Sequence, residues 1–393
     1  MCPITLWGAV GQFRIAFIPV RRGRRTVLKT RKNVVDTWTQ TPLRPTVRDP
    51  RARIDSLVQD SGLEFMGIVR DLSSGAYPRY LEWLRQNRHG GMLYLEKHLE
   101  ARKSTALILE GCQSVVVVAL PYFSADATRL NPGVAQYAQF QDYHRLIRER
   151  GAEIGQKIID DLGGSTDRFR VCVDTAPVLE RAMAEQTQWG FIGKNTCLIH
   201  PKWGSFLLLG EIFLTVELKA DQSLPISLHE KSASGGCGPC NLCQIECPTS
   251  ALDEDYRIDA RKCLAYWTIE NRGPVPVEFW RHFKKYWYGC DLCQSSCPYN
   301  KNSKARPKFI PTKRIPKLPD VVRMTQSDYE RYFGGTPMTR AKKSGLRRNA
   351  LIAMVAGRHP ELEAAIESIK EDLEYPLQET LSQIPEFLVL NQS

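Results

Sequence analysis

Four cysteines lie within the twelve-residue segment CGPCNLCQIECP, with the spacing Cys237-x2-Cys240-x2-Cys243-x3-Cys247 and a proline directly after. Thiols this close together can form disulfides, bind zinc or hold an iron–sulfur cluster. The N-terminus shows no basic segment before an apolar run, so we expect no secretory signal. Structural disulfides are therefore disfavoured. Structural zinc commonly uses two separated C-x2-C pairs, and the third cysteine of this run is surplus to that pattern.

A second group, GCDLCQSSCPYN, contains three more cysteines, and another stands upstream in ARKCLAYWTIE. The first run matches that of bacterial ferredoxins, in which the fourth cysteine ligates the other cluster. The sequence therefore predicts two 4Fe–4S clusters, with zinc as the alternative. The first cluster is predicted on Cys237, Cys240, Cys243 and Cys297, and the second on Cys263, Cys290, Cys293 and Cys247.

Clusters carry electrons but rarely contact substrates, so other residues must bind the electron acceptor. VDTAPVLERAMAE places Asp174 at the end of a predicted strand, where α/β sheets collect ligands. An N-cap is the more common role for such an aspartate. GFIGKNTCLI is a Gly-rich turn without the full phosphate-loop pattern. His144 in QDYHRLI stands at a predicted helix start, where a structural role is more common.

The chain of 393 residues is long enough for two or three domains. Apolar runs such as CQSVVVVALPY and GSFLLLGEIFLTVEL predict strands, and segments such as YHRLIRERGAEIGQKIIDDL have helical spacing. The pattern predicts a basic flexible extension over 1–50, an α/β catalytic domain over 51–225, a ferredoxin-like module over 226–305, and HEAT-like α-helices over 306–393.

The net charge of +11 is unevenly distributed. Residues 1–50 hold ten Lys or Arg against two acids, and residues 301–350 hold fourteen against three. Such basic segments are typical of a protein with a polyanionic partner, although a solvated surface fits the charge equally well. No apolar run is long enough to cross a membrane, so we expect no membrane partner.

Taken together, these stretches resemble the epoxyqueuosine reductase family, in order from about residue 51 to 360. The resemblance rests on ALPY, QDYHRLI, VDTAPVLERAMAE, GFIGKNTCLI, GSFLLLGEI, CGPCNLCQIECPTSAL, KCLAYWTIE, YGCDLCQSSCPYN and SGLRRNALIA. It implies reduction of the epoxide of epoxyqueuosine to queuosine at the wobble position of tRNA, the last step of queuosine biosynthesis. It also implies cobalamin in the α/β domain, two 4Fe–4S clusters, and tRNA bound partly by the C-terminal helices.

The resemblance assigns roles to particular residues. The family's acid falls on Asp174, which would protonate the epoxide oxygen, and a carboxylic acid suits that step. Because the acid must keep its proton near neutral pH, its pocket should be poorly solvated. The implied cobalamin contacts are Arg102, Lys194, Asn195, Thr196 and Ser205, and the implied tRNA contacts are Lys342, Lys343, Arg347 and Arg348.

Two departures from the family pattern are AQFQDYH, where Arg-Gly is common before Asp-Tyr-His, and Glu110-Gly111 in place of a Pro-Gly turn. We expect a cytoplasmic monomer that takes electrons from an external low-potential donor. Two other functions compete with this one. A reductive dehalogenase would use similar cofactors, and an iron–sulfur electron carrier that binds RNA would contain no corrinoid.

Overall fold

The computed structural model describes residues 47–71, 75–123, 131–187, 189–221, 236–301 and 315–391. The extension predicted for 1–50 lies almost entirely outside these residues. None of the helices within these ranges has the length and apolarity needed to cross a bilayer.

A four-stranded sheet forms the centre of the first half of the chain. The strands of the described residues are β1 (Glu64–Val69), β2 (Ser114–Pro121), β3 (Phe169–Cys172), β4 (Phe191–Ile192), β5 (Leu198–Ile199) and β6 (Leu207–Leu214). The sheet has the order β1-β2-β6-β3, and β4 pairs with β5 in a separate hairpin. Strands β2 and β6 are buried along their whole length, which explains why apolar residues dominate both.

The predicted α/β class is wrong in its sheet geometry. Each of the pairs β1–β2, β2–β6 and β3–β6 is antiparallel. The region is therefore an α+β arrangement, and the rule that places ligands at the carboxyl edge of a parallel sheet does not apply to it. The strands and helices themselves lie where the apolar patterns predicted them.

The helices of this region begin with recognisable signals. They are α1 (Pro50–Asp60), α2 (Ala76–Arg85), α3 (Tyr143–Leu162) and α4 (Glu180–Ala184). Asp49 caps α1 by accepting the Ala52 N–H, and Asp142 caps α3 by accepting the His144 N–H. Short 3-10 turns occupy Leu93–Leu95, Glu100–Arg102, Thr105–Leu107 and Gln136–Gln139.

Helix α3 packs closely against the sheet because two glycines face it. A Cβ at Gly155 would lie 2.6 Å from the Phe169 ring, and one at Gly151 would lie 2.8 Å from Val171. Both contacts join α3 to β3. The start of α3 and the end of β3 are thereby fixed relative to each other, and the residues that flank them form the site described below.

The cysteine-rich segment contains short helices separated by turns. These are α5 (Leu242–Ile245), a π-helix (Tyr266–Glu270), α6 (Trp280–Phe283) and α7 (Leu292–Ser295), with 3-10 turns at Ala260–Lys262, Val277–Phe279 and Pro298–Asn300. Helices α5 and α7 occupy equivalent places in CNLCQIECP and CDLCQSSCP. The segment is therefore an internal repeat, as two equivalent clusters require.

The C-terminal part is helical, as predicted, and HEAT-type pairing of its helices stays a prediction. The helices are α8 (Leu318–Val322), α9 (Gln326–Phe333), α10 (Lys342–Ala356), α11 (Leu362–Glu367), α12 (Leu377–Ser382) and α13 (Ile384–Leu390), with a 3-10 turn at Pro337–Ala341. Helix α10 lies at the centre and is buried continuously from Gly345 to Val355.

The prediction that Arg347 and Arg348 contact tRNA is wrong, because both side chains are 0% exposed. Arg347 donates to the Val322 carbonyl and pairs with Asp372 at 3.0 Å. Arg348 donates to three main-chain carbonyls, those of Trp267, Asn271 and Gly273. These guanidinium groups join α10 to its neighbours. Lys342 is exposed and Lys343 is half-buried, so their contact with tRNA stays a prediction.

Candidate active site and cluster sites

Asp174 lies directly beyond β3 in a buried turn and is 7% exposed. Its φ of +50° is in the left-handed region, which costs a residue with a side chain about 1–2 kcal/mol. Its main-chain N–H donates to the carboxyl group of Glu180, the first residue of α4. The poorly solvated pocket predicted for this acid is therefore present.

Two donors from the start of α3 hold the Asp174 carboxyl group. The Tyr143 hydroxyl donates to Oδ2 over 2.9 Å, and Nε2 of His144 lies 2.9 Å from the same oxygen. Nδ1 of His144 lies 2.6 Å from Oδ1 of Asp142. Because both ring nitrogens face carboxylates, a doubly protonated imidazole fits this chain of groups.

The charges around His144 favour that state. Burial alone would lower the pKa of His144, but the carboxylates of Asp142 and Asp174 outweigh it and raise the pKa to about 9. Burial and the nearby Asp174 raise the pKa of Tyr143 well above its usual range, so its hydroxyl stays a donor. Oδ1 of Asp174 is buried and has no hydrogen-bond partner among the described residues. That oxygen therefore keeps its capacity for one further hydrogen bond.

Two further buried carboxyl groups lie behind Asp174. Glu180 is 1% exposed and Glu211, in the middle of β6, is 0% exposed. Burial, together with the negative charge of the neighbouring carboxylates, raises the pKa of both groups well above the usual range. Neither oxygen of Glu211 has a partner in the described part of the chain.

A cavity of about 320 Å³ opens beside Glu180. Its walls come from α2, α4, the β4–β5 hairpin and the cysteine segment: Ala76, Arg79, Tyr80, Trp83, Leu179, Glu180, Arg181, Ala182, Glu185, Ile192, Thr196, Asp255, Tyr256, Arg257 and Ile258. Three buried polar atoms of these residues lack a partner among the described residues, namely Oγ1 of Thr196, Oε2 of Glu180 and Oε1 of Glu185. The cavity is thus equipped to hydrogen-bond a ligand.

Of the five predicted cofactor contacts, Thr196 lines this cavity. Arg102 is buried, donates to the carbonyls of Lys97 and His98, and lies over the Tyr80 ring at 5.6 Å. Its guanidinium group therefore reaches a residue of the cavity wall. The contact of Arg102 with a cofactor stays a prediction.

The other three predicted contacts face the cysteine segment. The Lys194 N–H donates to Sγ of Cys237, and the Asn195 amide donates to the Cys293 carbonyl. Ser205 accepts hydrogen bonds from Gln294 and Asn300. These residues hold the cysteine segment against the sheet domain, and their contact with a cofactor stays a prediction.

The eight predicted ligands lie in the described cysteine segment, and their division into two sets stays a prediction. Burial, with smaller contributions from the thiols of Cys237, Cys297, Cys240 and Cys197, raises the pKa of Cys243 to about 12. The four thiols of the second predicted set border one small cavity: Cys247, Cys263, Cys290 and Cys293. Each set supplies four soft donors and includes one cysteine from the opposite run, as two cubane clusters require. Across the described ranges, no three His, Cys, Asp or Glu side chains surround one point as ligands of a single metal ion would.

Comparison with known proteins also indicates a domain that binds two clusters. Residues 236–300 match the family described as "4Fe-4S double cluster binding domain", and residues 102–175 match "Epoxyqueuosine reductase QueG, DUF1730". An epoxyqueuosine reductase of Leadbetterella byssophila is 34% identical over 312 residues, which is 77% of this chain and 98% of that protein. This chain belongs to the epoxyqueuosine reductase family.

Further relatives of the chain are members of the same family. The epoxyqueuosine reductase of Gloeobacter violaceus is 36% identical over 78% of this chain and 96% of its own length. Among solved structures, the epoxyqueuosine reductase of Streptococcus thermophilus superimposes with a TM-score of 0.75 at 25% identity, over 87% of this chain and 91% of that one. Another epoxyqueuosine reductase, solved with an epoxyqueuosine-modified tRNA-Tyr stem loop, has a TM-score of 0.74 at 24% identity, over 86% of this chain and 91% of that one, and shows the shared fold.

Sequence reasoning missed two residues of this site, Tyr143 and Glu180. His144 was considered at a helix start, but its contact with Asp174 was not predicted. The sole local signal was a polar Asp-Tyr-His run at a helix start.

Proposed function

We propose that this chain reduces the epoxide of epoxyqueuosine in tRNA to give queuosine, with cobalamin as cofactor and electrons delivered through two 4Fe–4S clusters. Membership of the family supports the reaction. The observation that carries the assignment of the acid is the buried Asp174, whose Oδ1 is free while Oδ2 is held by Tyr143 and His144. A second function, electron transport without corrinoid chemistry, would leave this arrangement without a purpose.

The reaction sets the demands on the protein. Converting an epoxide to an alkene breaks both C–O bonds of the ring, consumes two electrons and two protons, and releases water. Asp174 receives a proton from the imidazolium of His144 and passes it to the epoxide oxygen as the first C–O bond breaks, which avoids a free alkoxide. The hydrogen bonds of Tyr143 and His144 fix the orientation of the Asp174 carboxyl group during this proton transfer.

His144 then regains its proton. Its ring joins Asp174 to Asp142, whose side chain is 40% exposed. A proton taken up from solvent at Asp142 reaches Asp174 through the imidazole, since both ring nitrogens already lie within hydrogen-bond distance of a carboxylate. The chain of three groups therefore links the buried acid to bulk water.

The cavity beside Glu180 fits part of a corrinoid. The unpartnered atoms of Thr196, Glu180 and Glu185 are suited to the amide groups that surround the macrocycle, and Tyr80, Trp83 and Ile258 provide apolar walls. When bound, cobalamin supplies the reducing metal centre of the reaction. Arg102, Lys194, Asn195 and Ser205 are proposed as further contacts on the strength of the family resemblance alone.

The partners follow from the reaction. The substrate is tRNA carrying epoxyqueuosine, and Lys342 and Lys343 are proposed to contact its phosphates. An external low-potential donor, not identified by the sequence, must supply the electrons. We further propose that the chain acts as a monomer.

The experiment is a direct assay. The protein, reconstituted anaerobically with iron and sulfide, is incubated with cobalamin, a strong reductant and tRNA that contains epoxyqueuosine. The tRNA is then digested and its nucleosides are weighed. Cobalamin-dependent loss of one oxygen atom supports the proposal. Unchanged nucleoside with intact clusters and no bound corrinoid would contradict it and favour the electron carrier.

A further inference from the structure

Glu180 lies between the cavity and the catalytic aspartate. Its carboxyl group is 1% exposed, and its two oxygens face different neighbours. Oε1 accepts the main-chain N–H of Asp174. Oε2 has no partner among the described residues, and the residue lines the cavity. One side chain thus contacts both the turn that carries the acid and the space proposed for the cofactor.

The Asp174 turn needs such a contact. Its φ of +50° is unfavourable for aspartate, and the next N–H, of Thr175, folds back onto the Val173 carbonyl. Tyr143 and His144 hold the side chain of Asp174, but they do not constrain its main chain. A buried N–H without an acceptor costs about 1–3 kcal/mol, comparable with the conformational cost of the turn. Loss of the acceptor would therefore favour another conformation of the turn.

We propose that Glu180 is a positioning residue that holds Asp174 in its proton-donating conformation and connects that conformation to the occupant of the cavity. This inference rests on the proposed function. Oε1 accepts the Asp174 N–H, which leaves Oε2, buried and without a partner among the described residues, as the atom that can hydrogen-bond a ligand in the cavity. A ligand bound at Oε2 fixes the carboxyl plane and hence the position of the Asp174 N–H.

Two variants separate positioning from acidity. Glu180→Gln has the same shape and keeps an oxygen acceptor and a cavity-facing donor, although it cannot ionise. Glu180→Leu has a similar volume and no acceptor. We expect Glu180→Gln to retain kcat within about threefold, and Glu180→Leu to lose about 100-fold in kcat with an unchanged KM for tRNA, since a small misplacement of a reacting group has that effect.

A second measurement does not depend on turnover. Amide hydrogen exchange of the peptide over 173–179 is followed in the protein with clusters, with and without cobalamin. Glu180→Leu should speed exchange at Asp174 about tenfold, the equivalent of one lost hydrogen bond. Glu180→Gln should exchange like the wild type. Cobalamin should slow exchange in the wild type and in Glu180→Gln, but not in Glu180→Leu.

The outcomes are distinct. Wild-type kcat and exchange in Glu180→Leu would overturn the inference. Equal losses of kcat in both variants, with clusters and corrinoid bound, would overturn it in favour of Glu180 as a proton source. If Glu180→Leu fails to fold, unprotected exchange at Asp174 in wild-type protein overturns the inference, and slowing by cobalamin supports it. Absence of turnover in the wild type would contradict the proposed function itself.

Discussion

Replacing Asp174 by asparagine removes the acidic proton while it preserves the surrounding hydrogen bonds. The amide oxygen can accept from Tyr143 and His144 as Oδ2 does, over the same 2.9 Å distances. The amide nitrogen takes the place of Oδ1, which has no protein partner to lose in the described structure. The change therefore isolates the chemistry of the acid from the position of the side chain.

The expected loss of kcat can be estimated because Asp174→Asn removes the acidic proton and little else. Because the site geometry is retained, the loss equals the contribution of general acid catalysis, about 100- to 10,000-fold in kcat. The KM for tRNA and the content of clusters and corrinoid should not change, since Asp174 does not itself line either cavity and the substitution leaves its main-chain hydrogen bond to Glu180 in place. His144 loses one of its two carboxylate neighbours, so its pKa should fall from the wild-type value of about 9.

The assay is a single-turnover reaction on tRNA with epoxyqueuosine, stopped at intervals and analysed by mass spectrometry of nucleosides. Corrinoid and cluster absorbance and the melting temperature are recorded for every sample. Asp160→Asn, the same chemical change at an exposed position of α3, is the control and should react at the wild-type rate. Asp174→Asn protein that carries both cofactors and turns over within threefold of wild type would refute the role of Asp174 as the acid.

Four other changes test separate parts of the structure. His144→Asn should remove a stabilisation of the fold on the order of 3 kcal/mol. Because the pKa of His144 in the folded protein is raised to about 9, this stabilisation is fully present below about pH 6.5 and is lost as the pH rises through 9. Urea unfolding should therefore show a more stable wild type at pH 6 and equal stabilities at pH 10. Cys293→Ser should abolish one cluster, which iron analysis would detect as half the wild-type content, and full iron content would contradict the second cysteine set. Arg348→Met should destabilise the fold by about 2 kcal/mol or more, because three carbonyls lose a charged donor; an unchanged unfolding midpoint would disprove the buried role. Replacing Lys342 and Lys343 together by glutamine should lower the slope of log affinity for tRNA against log salt by about 1.5, and an unchanged slope would place tRNA elsewhere.

The secondary structure could be predicted wherever burial leaves a local pattern. Strands β2 and β6 are buried along their length, so their apolar runs were readable, and α3 shows its periodicity over 20 residues. The direction of pairing could not be read in the same way. Which strands become neighbours depends on contacts between distant segments, such as β2 with β6, and no local residue type encodes it.

The candidate site was predictable to different degrees for a similar reason. The cluster ligands were found because one loop supplies several of them at fixed spacing. The hydrogen bonds of Tyr143 and His144 to Asp174 were not predicted, because they join the start of α3 to a turn thirty residues away. Arg347 and Arg348 were misassigned because a charge in a sequence does not tell whether its partners are water or main-chain carbonyls. Their apolar neighbours, Leu346 and residues 350–355, were the signal that the helix is buried.

The two cysteine runs have similar local sequences but pack in different surroundings. CNLCQIECP and CDLCQSSCP share the cysteines, the leucine, the glutamine and the proline. Yet Gln294 is 0% exposed and donates to the Ser205 carbonyl, whereas its counterpart Gln244 donates to Asp255 at an exposed position. Ile245, whose counterpart is Ser295, is 66% exposed. The glutamine of the second run therefore anchors that run to the sheet domain, whereas the equivalent glutamine of the first run bonds within the cysteine segment.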